Sequence, residues 1–576
     1  MSKNSFVASV LDELADYSEM EDDQPYRARA YRRAAQTISS LEEDIEDISQ
    51  KGALREIPGI GEGIEKKVVE ILNTGKLQTL EKMKQRNAVD VTSLTKVEGI
   101  GPKTVKALYR ELKIRNLDDL ERAVKEGRLA DFRGLGVKDP KLLLEHIQNA
   151  KLQSNRVLLV EAEHIADKVR GELGKLRNIS RFEIAGSFRR KKETVGDLDV
   201  LVETDNPGEV VQNFTKTDEV REVIVAGEYK ASVKFAKNFQ VDLRVIPSKS
   251  WGAALLYFTG SKAHNIELRT RALKVKYHLS EYGLFKEDNE TLVAGKSEEE
   301  VYKALDMDYI EPELRENRGE IQAAASHKLP KLLKLEDILG DLQMHTIWSD
   351  GNESVRDMAE AARKLGYEYI AVTDHVGSLK IANALDAAAI KQQAKEIEKL
   401  NEEYEKQGIP FHVIHGAEVN IKADAKLDMP DSVLKEIELV LASIHSGFND
   451  DVTKIMKRFT AAFENENVDI IAHPSGRLIL ERSGYRFNLN EMIEKSLATE
   501  TVLEIDAYPN RLDLNDQNAY DAIKAGCTLS IDTDSHTSSE LVYMKGGVDQ
   551  ARKAWAERRN ILNTKSYRDL VKFLES

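Results

Sequence analysis

Hydrophobic and polar positions follow different periods in successive parts of the chain. In residues 1–150 apolar positions recur at intervals of three and four, broken by glycine-containing turns, which predicts a series of short helices. From about residue 181 short runs rich in β-branched and aromatic residues predict strands. These runs are FEIAGSF, LDVLVET, VREVIVAG, SVKFA and VDLRVI. Helical spacing resumes between residues 251 and 310.

Residues 316–337 are polar and Ala-rich and contain Pro330, so we expect a connector there. Beyond them, strand-like runs alternate with amphipathic stretches of helix length. The runs are YIAVTDH, FHVIHGAEVN, ELVLASIHS, VDIIAHP, TVLEIDA and CTLSIDTDSH. This alternation predicts a β/α barrel or a layered α/β domain.

Composition restricts the class of protein. The 576 residues are 41% hydrophobic and 32% charged, which is typical of a globular protein with several cores. No apolar run approaches the roughly 18 residues of a membrane span, and the acidic, amphipathic N-terminus is unlike a signal peptide. We therefore expect a cytoplasmic protein without a membrane partner. The single Cys527 leaves any metal site to histidines and carboxylates.

Charge is distributed unevenly. The net charge is −15, but residues 51–200 contain 31 Lys and Arg against 23 Asp and Glu, a local charge of +8. A basic middle between acidic flanks is compatible with binding to a polyanion, although a Lys-rich helix is also commonly just a solvated face.

Two glycine turns repeat one pattern within this basic segment. Gly59-Ile60-Gly61 and Gly99-Ile100-Gly101 each precede a helix, and Lys103 lies in the first turn of the second one. A weaker third copy occurs at residues 133–136. Such a turn exposes backbone N–H groups at a helix start, where a phosphate binds well. With helices on both sides the motif resembles the helix-hairpin-helix, a DNA-backbone binder that carries little base information.

Lys67 follows the first turn by six residues and adjoins Lys66. Both are ordinary solvated lysines in the simplest interpretation. In the alternative, one of them has a lowered pKa and attacks an abasic sugar aldehyde to form a Schiff base.

The segment GSFRRKKETVGDLDVLV carries most of the functional argument. Asp197 and Asp199 are two apart on a predicted strand and project from the same face, and Asp242 lies on a later strand of the same region. Clustered carboxylates repel unless cations neutralise them, and oxygen ligands suit Mg²⁺. Two such ions can activate a hydroxyl and stabilise a leaving pyrophosphate. The alternative is an Asp-x-Asp turn on the surface.

The turn before these carboxylates is suited to a triphosphate. Gly186 and Ser187 offer backbone N–H groups and a hydroxyl, Arg190 supplies positive charge, and Gly196 precedes the first carboxylate. Donors and a guanidinium of this kind hold phosphate oxygens. We therefore assign these four residues to nucleotide binding.

From about residue 1 to 315 the sequence resembles a family X DNA polymerase of the DNA polymerase beta kind. The resemblance implies that Asp197 and Asp199 bind both metal ions and that Asp242 is the remaining ligand and the base for the primer hydroxyl. In YFTGSKAHNIELR it implies that Tyr257, Phe258, Gly260 and Asn265 contact the incoming nucleotide and that Arg269 touches the template strand. It also places Lys67 at the Schiff-base position, whereas Gly63 stands where a supporting lysine is usual.

Histidines concentrate in the C-terminal half, which holds seven of the twelve. Eight potential ligands end a predicted strand or open the next loop: His345, Asp350, His375, Glu418, His445, His473, Asp534 and His536. Imidazoles with carboxylates suit Zn²⁺ or Mn²⁺, and such a site would supply a hydroxide for phosphoester hydrolysis. A single histidine at a strand end is usually structural. His412 alternates outward from His415 on the predicted strand, and neither is assigned to the site.

Residues 338–576 resemble the PHP (polymerase and histidinol phosphatase) domain, which is fused to many bacterial and archaeal family X polymerases. The first family motif is His-x-His, and here Gln343 replaces its first histidine, so one metal position is expected to be weak or empty. The resemblance implies 3′→5′ exonuclease, abasic-site endonuclease or 3′-phosphatase activity without choosing among them. In the alternative interpretation this domain is a non-catalytic scaffold.

Together these observations predict a multidomain fold with helical N-terminal helix-hairpin-helix domains, an α+β nucleotidyltransferase palm and a distorted α/β barrel. The expected segments are a lyase-like domain (1–85), a helical DNA-binding subdomain (86–150), the palm (151–250), a nucleotide-selecting subdomain (251–315), a linker (316–337) and the PHP domain (338–576).

The expected function is template-directed filling of short gaps in DNA repair, joined to a phosphoesterase. We expect a monomer that uses dNTPs and gapped or nicked double-stranded DNA, with Mg²⁺ or Mn²⁺ in the polymerase site and Zn²⁺ or Mn²⁺ in the PHP site. An untemplated nucleotidyltransferase shares the carboxylate core and is the rival interpretation. The paired hairpin motifs and the Tyr257 segment argue against it.

Overall fold

The computed structural model describes residues 3–21, 25–39, 41, 45–57, 59–97, 99–129, 132, 139–154, 156–379, 382–448 and 450–575. It forms two compact units, of which the first comprises residues 1–155 and the second begins at Arg156. No helix in these described stretches is long and apolar enough to cross a bilayer. The weaker third glycine turn, at residues 133–136, lies outside the described residues.

The first unit is built from the short helices that the hydrophobic spacing predicts. Its described helices are α1 (Lys3–Met20), α2 (Pro25–Ser39), α3 (Ile45–Gln50), α4 (Glu62–Thr74), α5 (Gln78–Arg86), α6 (Val91–Thr95), α7 (Pro102–Leu112), α8 (Leu117–Lys125) and α9 (Pro140–Ser154). Leu11, Val68 and Leu108 are fully buried in one core. That core includes side chains from residues 1–85 and from residues 86–150, which the sequence analysis expects to be separate segments.

The second unit begins with a five-stranded sheet of order β2-β4-β7-β6-β5. Its strands are β2 (Arg181–Ile184), β4 (Asp197–Glu203), β5 (Glu222–Ala226), β6 (Lys230–Phe235) and β7 (Phe239–Val245). The central pair β4 and β7 is parallel and the other pairs are antiparallel. Two short strands, β1 (Val157–Leu158) and β3 (Thr194–Val195), pair separately. All five predicted strand runs are confirmed.

One face of this sheet is apolar and the other carries the predicted site. Val241 and Leu243 on β7 are fully buried against the core that helices α10 (Leu159–Lys175) and α12 (Pro207–Phe214) share, while α11 (Gly186–Arg189) follows β2. Because side chains alternate along a strand, Asp242 and Arg244 point to the opposite face. The face of the sheet that carries these charges is therefore not the one that packs on α10 and α12.

Residues 251–325 form a smaller α+β layer with its own core. Its elements are α13 (Trp251–Thr259), α14 (Lys262–Lys274), β8 (Tyr277–Ser280), β9 (Gly283–Lys286), β10 (Leu292–Ala294), α15 (Glu298–Ala304) and α16 (Glu320–Ala325). The buried Arg315 guanidinium donates to Glu298 Oε1 at 2.6 Å and to the carbonyl of Ile310. This ion pair fixes the chain just before the predicted linker.

The predicted linker, residues 316–337, is ordered along its length. Its helix α16 buries Ile321 and Ala324 in the preceding core, and Leu333 is buried in the core of the following domain. The connector is thus packed on both sides, which a polar, Ala-rich composition does not predict.

The C-terminal part is a nearly closed parallel barrel, as the alternating pattern predicts. Its strands are β11 (Gly340–Asp341), β12 (Tyr369–Val372), β13 (His375–Val376), β14 (His412–Asn420), β15 (Leu439–Ser443), β16 (Ile470–Ile471), β17 (Val502–Asp506) and β18 (Leu529–Asp532). They are ordered β11-β12-β14-β15-β16-β17-β18, and β13 pairs with β14. A parallel bridge between Met344 and Ser535 brings the first and last strands together.

Helices follow most barrel strands and cover the outside. They are α17 (Val355–Lys364), α18 (Ala387–Lys406), α19 (Asp431–Leu434), α20 (Val452–Phe463), α21 (Leu489–Thr499), α22 (Asp516–Ala525), α23 (Met544–Lys553) and α24 (Tyr567–Leu574). In barrels of parallel strands the loops after the strands build the active site. Six of the eight predicted ligands lie in such loops, whereas His375 and Glu418 lie on strands β13 and β14.

Candidate active sites

The palm carboxylates lie on two adjacent parallel strands. Asp199 on β4 is the direct partner of Asp242 on β7, and Asp197 is opposite Gln240. The Gln240 amide donates to Asp242 Oδ2 at 3.1 Å. The structure therefore brings the three predicted carboxylates together on one face of the sheet.

Burial, together with the neighbouring carboxylates, raises the pKa of two of these side chains. Burial, followed by the charges of Asp197 and Asp242, raises the pKa of Asp199 to about 7. Burial and then Asp242 also raise the pKa of Asp197, which Arg156 opposes. Carboxylates that resist ionisation in this way become fully charged when cations bind beside them. Three adjacent carboxylate side chains fit hard divalent ions.

The Gly-Ser turn is shaped by these carboxylates. Gly186 has a φ of +68°, and a Cβ at this position would lie 2.8 Å from Asp199 Oδ2. Only glycine fits both the left-handed backbone and the close approach. Gly196 lies beside Arg156, where a Cβ would be 3.4 Å from Nη1. Ser187 is partly exposed beside the site.

The guanidinium of Arg190 donates hydrogen bonds to other groups of the protein. Its Nε donates to Glu316 Oε1 at 3.0 Å and its Nη1 donates to the carbonyl of Thr259. Gly260 has a φ of +68° and lies against the same guanidinium, since a Cβ there would be 3.2 Å from Arg190 Nη1. The residue assigned to phosphate binding is thus held by a carboxylate beyond the palm.

The four side chains predicted on α13 and α14 form one cluster. The Tyr257 and Phe258 rings meet edge to face at 5.0 Å, and Asn265 Nδ2 donates to the Tyr257 carbonyl at 2.8 Å. The Arg269 guanidinium lies 5.2 Å from the Tyr257 ring, and that of Arg244 lies 4.8 Å from the Phe258 ring. Arg244 joins this cluster to the strand that carries Asp242. The sequence shows Arg244 two residues after Asp242, but sequence reasoning gave it no role in the site.

The two glycine turns have the same backbone geometry. Gly59 and Gly99 have φ values of +92° and +86°, and Gly61 and Gly101 are the N-cap residues of α4 and α7 with nearly identical angles. A Cβ at Gly61 or Gly101 would meet nothing within 4 Å. Each helix start is therefore open, which leaves room for a phosphate at the exposed N–H groups.

Lys67 and Lys66 differ in their surroundings. The Lys67 ammonium lies 5.9 Å from the centre of the Tyr31 ring, whereas Lys66 is exposed and pairs with Glu62 at 2.9 Å. Of these two lysines, Lys67 is the one that lies beside the Tyr31 ring.

Glu418 lies at the centre of the barrel site. Its Oε1 is 3.1 Å from His473 Nε2 and 3.2 Å from His445 Nε2, and its Oε2 is 3.4 Å from His345 Nε2 and 3.5 Å from His375 Nδ1. Burial alone would raise the pKa of Glu418, but the surrounding imidazoles, His375 and His445 first, hold it well below its usual range. One carboxylate thus meets four imidazoles.

Two further carboxylates extend the centre. Asp350 Oδ1 lies 3.8 Å from His345 Nδ1 and 3.7 Å from His536 Nε2, and its Oδ2 lies 3.6 Å from His375 Nε2. Asp534 Oδ1 is 3.0 Å from His345 Nε2. All eight predicted ligands therefore converge.

Three sets of ligands have atoms within 4.8 Å of one another: His345 with Asp350 and His375, His345 with Asp534 and His536, and His375 with Glu418 and His445. Their nitrogen and carboxylate oxygen atoms are a donor set suited to Zn²⁺ or Mn²⁺. Within the described residues, the palm carboxylates are not among the sets that meet this criterion.

Gln343 occupies the position of the missing histidine. Its Nε2 donates to Glu418 Oε2 at 3.0 Å, and its buried Oε1 has no hydrogen-bond partner. This hydrogen bond occupies Glu418 Oε2, an oxygen atom that could otherwise bind a cation. His412, by contrast, stacks on Tyr567 at 4.2 Å, and the His415 backbone amide binds Glu438; neither belongs to the three ligand sets.

Three carboxylates hold the ligand loops: sequence reasoning noted Asp374 beside His375 without giving it a role, and missed Glu504 and Glu540. Asp374 accepts from the Thr346 amide at 2.7 Å, Glu504 accepts from the His473 amide at 2.5 Å, and Glu540 accepts from the His536 amide at 2.8 Å. Asp374 and Glu504 stand on the predicted strand runs, which was their only signal. Arg511 Nε lies 3.7 Å from Asp534 Oδ2 and adds a positive charge beside the centre.

Comparison with protein-family models divides the chain in the same order as the structure. The matching models are a helix-hairpin-helix domain (residues 2–77), a SAM-like helix-hairpin-helix tandem (91–149), the DNA polymerase beta palm (156–247), the DNA polymerase beta thumb (254–316) and the PHP domain (341–568).

Curated relatives include a full-length match. The chain is 38% identical over 571 residues to DNA polymerase/3′-5′ exonuclease PolX of Bacillus subtilis (strain 168), covering 99% of each protein. It is 28% identical over 284 residues to DNA polymerase lambda of Arabidopsis thaliana, covering 45% of this chain and 50% of that protein. It is also 25% identical over 357 residues to DNA-directed DNA/RNA polymerase mu of Homo sapiens, covering 54% and 69% respectively.

Proposed function

The chain belongs to the family X DNA polymerases that carry a C-terminal PHP domain, and on this premise we propose that it fills short gaps in DNA and trims 3′ ends at a second site. The observation that supports this proposal is that the second unit contains both a group of carboxylates on strands and a separate centre of histidines and carboxylates. The palm, thumb and PHP models support the assignment of residues 151–250 to the catalytic palm, of residues 251–315 to nucleotide selection and of residues 338–576 to the phosphoesterase.

In the polymerase reaction the primer 3′ hydroxyl attacks the α-phosphorus of a dNTP and pyrophosphate leaves. Asp197, Asp199 and Asp242 would hold two Mg²⁺ ions, which stabilise the attacking and leaving oxygens when bound. Asp242 would accept the hydroxyl proton. Ser187 and Arg190 would bind the triphosphate, with Gly186 and Gly196 keeping the turn close to the carboxylates.

Nucleotide selection is assigned to the cluster on α13 and α14. Tyr257 and Phe258 would pack against the sugar, Asn265 would contact the nucleotide, and Arg269 would contact the template strand. The buried Oδ1 of Asn265 has no hydrogen-bond partner and is available to a ligand donor. A templated reaction is tested by single-nucleotide incorporation on four gapped substrates that differ only in the templating base. Incorporation of the same nucleotide on all four would support the untemplated rival.

The PHP site is proposed to hydrolyse phosphodiesters at 3′ ends. Its eight ligands would hold Mn²⁺ or Zn²⁺, which lowers the pKa of bound water and polarises the phosphate when present. The scaffold alternative is less well supported, because a scaffold does not need eight converging ligands. Release of labelled nucleotide from a 3′-labelled strand, with and without Mn²⁺, tests hydrolysis; no release with either Mn²⁺ or Zn²⁺ would support the scaffold.

We further propose that Lys67 forms a Schiff base with an abasic 5′ sugar, which would give 5′-deoxyribose phosphate lyase activity in base excision repair. Its position beside Tyr31 supports this role. Borohydride should trap wild-type protein on a 5′-incised abasic substrate, and Lys67→Ala should remove the adduct while Lys66→Ala keeps it. An equal adduct in Lys67→Ala would assign the chemistry elsewhere.

A further inference from the structure

A buried group of charges joins the nucleotidyltransferase part of the second unit to the PHP domain. We call it the junction cluster; its members are Arg190, Lys192, Glu316, Arg318, Asp516 and Lys553. Arg190 and Lys192 follow the Gly-Ser turn, Glu316 and Arg318 precede α16, and Asp516 and Lys553 belong to PHP helices α22 and α23. The cluster therefore connects the nucleotide site with the second catalytic domain.

Lys553 lies at the middle of the junction cluster. Its side chain is 1% exposed, and its Nζ lies 3.3 Å from Asp516 Oδ2 and 3.7 Å from Glu316 Oε1. The same Nζ is 3.5 Å from the backbone carbonyl of Arg190. A buried ammonium is costly unless it is paired, so this lysine is held by one carboxylate from each side of the junction.

Glu316 is shared between the two parts. It accepts from Arg190 Nε at 3.0 Å and lies 3.9 Å from the Lys192 ammonium, in addition to its contact with Lys553. Burial would raise the pKa of Glu316, but Lys553 first and then Arg190 hold it below its usual value. Arg190 is therefore one of three cations that compensate this carboxylate.

Asp516 has its own full set of partners. It accepts from Arg318 Nη2 at 2.9 Å and lies 3.8 Å from the Lys192 ammonium, besides Lys553. The cluster thus contains four cations and only two carboxylates. This excess of positive charge within the cluster favours the arrival of an anion next to Arg190.

A triphosphate at the Gly-Ser turn would compete with Glu316 for Arg190. Suppose that Glu316 had no partner except Arg190. If Arg190 then turned toward a phosphate, Glu316 would be left uncompensated, at a cost comparable with breaking a buried ion pair. Lys553 and Lys192 remove that cost because they keep Glu316 paired. The free energy needed to release Arg190 therefore depends on a PHP residue.

We propose that Lys553 of the PHP domain is a positioning residue for the polymerase nucleotide site, holding Glu316 so that Arg190 can engage the triphosphate. The inference rests on the proposed role of Arg190. It makes dNTP binding dependent on the PHP domain through a charge contact, independently of hydrolysis in that domain.

The test is single-nucleotide gap filling by the full-length protein with Lys553→Met. Loss of the charge should raise the KM for dNTP about tenfold, in line with couplings in buried charge networks, with little change in kcat. Lys553→Arg should stay within about twofold of wild type because it keeps the charge. Glu316→Gln should suppress the effect, so that the double variant has the KM of Glu316→Gln alone.

A matched control is Lys545→Met, which removes an exposed lysine from the same helix and should leave the KM for dNTP unchanged. Mn²⁺-dependent trimming and the thermal unfolding midpoint of each variant report whether the PHP domain is intact. If Lys553→Met is destabilised, the comparison of Lys553→Met in the wild-type and Glu316→Gln backgrounds still decides the question.

Three results would overturn the inference, and they identify which step of it fails. An unchanged KM in Lys553→Met, together with a raised KM in Arg190→Ala, would overturn the inference alone. An unchanged KM in Arg190→Ala would overturn the proposed nucleotide role of Arg190, and the inference with it. A fall in kcat at constant KM in Lys553→Met would also overturn positioning of the nucleotide.

Discussion

The two catalytic centres balance their charges in different ways. In the palm, burial and the neighbouring carboxylates outweigh the nearby Arg190 and Arg244, and the pKa of Asp199 rises to about 7. In the barrel, Glu418 meets four imidazoles and its pKa falls well below the usual range. The palm must receive its compensating charge from metal ions, whereas the barrel centre is already partly compensated by its own side chains.

This difference affects how the two sites respond to metal concentration, to pH and to the loss of a ligand. An under-compensated carboxylate group should depend steeply on metal concentration and pH. A preformed cluster of imidazoles and carboxylates should tolerate such changes better, but should be sensitive to the loss of single ligands.

The largest expected effect separates the two centres. Asp242→Ala should lower primer extension on gapped DNA by about a thousandfold, because it removes both a ligand and the proton acceptor, and it should spare Mn²⁺-dependent 3′ trimming. His445→Ala combined with His473→Ala should do the reverse. Both activities are measured on one end-labelled gapped substrate, and loss of both from either variant would contradict the two-site model.

A smaller effect is expected when the missing histidine is restored. Gln343→His should increase the affinity of the PHP centre for one Mn²⁺ or Zn²⁺ by about ten- to a hundredfold, because an imidazole replaces an amide that donates to Glu418. The metal bound per protein after dialysis, measured by mass spectrometry, is the readout. Gln393→His, at a buried glutamine bonded to Asp374, is the control, and equal metal content in Gln343→His and wild type would contradict the prediction.

The pH dependence of Mg²⁺ binding should be moderate. Since the pKa of Asp199 is about 7 in the metal-free site, Mg²⁺ must displace a proton at pH 6 and none at pH 8. The apparent affinity for Mg²⁺ in primer extension should therefore rise about tenfold from pH 6 to pH 8 and level off above that. An affinity that does not change over this range, or falls, would show that the carboxylates are already ionised.

The smallest expected effect concerns the helix start at Gly101. Lys103→Ala should weaken binding to gapped DNA a few-fold for every sequence and reduce the salt slope by about one ion. Lys125→Ala removes another exposed lysine, one that pairs with Glu121, and should change binding less. Fluorescence anisotropy at several salt concentrations gives both quantities, and equal effects of the two substitutions would contradict a local contact at the glycine turn.

Local pattern was sufficient for much of the architecture. The β-branched runs around Asp199 and Asp242 are strands, and the glycine turns at Gly61 and Gly101 begin helices with matching backbone angles. These features depend on periodicity and on backbone conformations open mainly to glycine, which are local properties. The predicted positions of the eight barrel ligands at strand ends follow from the same periodicity.

Contacts between segments that are distant in the sequence could not be predicted from local pattern. The sequence by itself determined the strands, the helices, the family resemblance and the residue types of both centres. Only the tertiary structure decided that Asp199 pairs with Asp242, that Gln343 donates to Glu418, and that Glu316 and Lys553 meet at Arg190. The physical reason is that charge pairing depends on distance and burial, and residues tens to hundreds of positions apart acquire both only when the chain is packed.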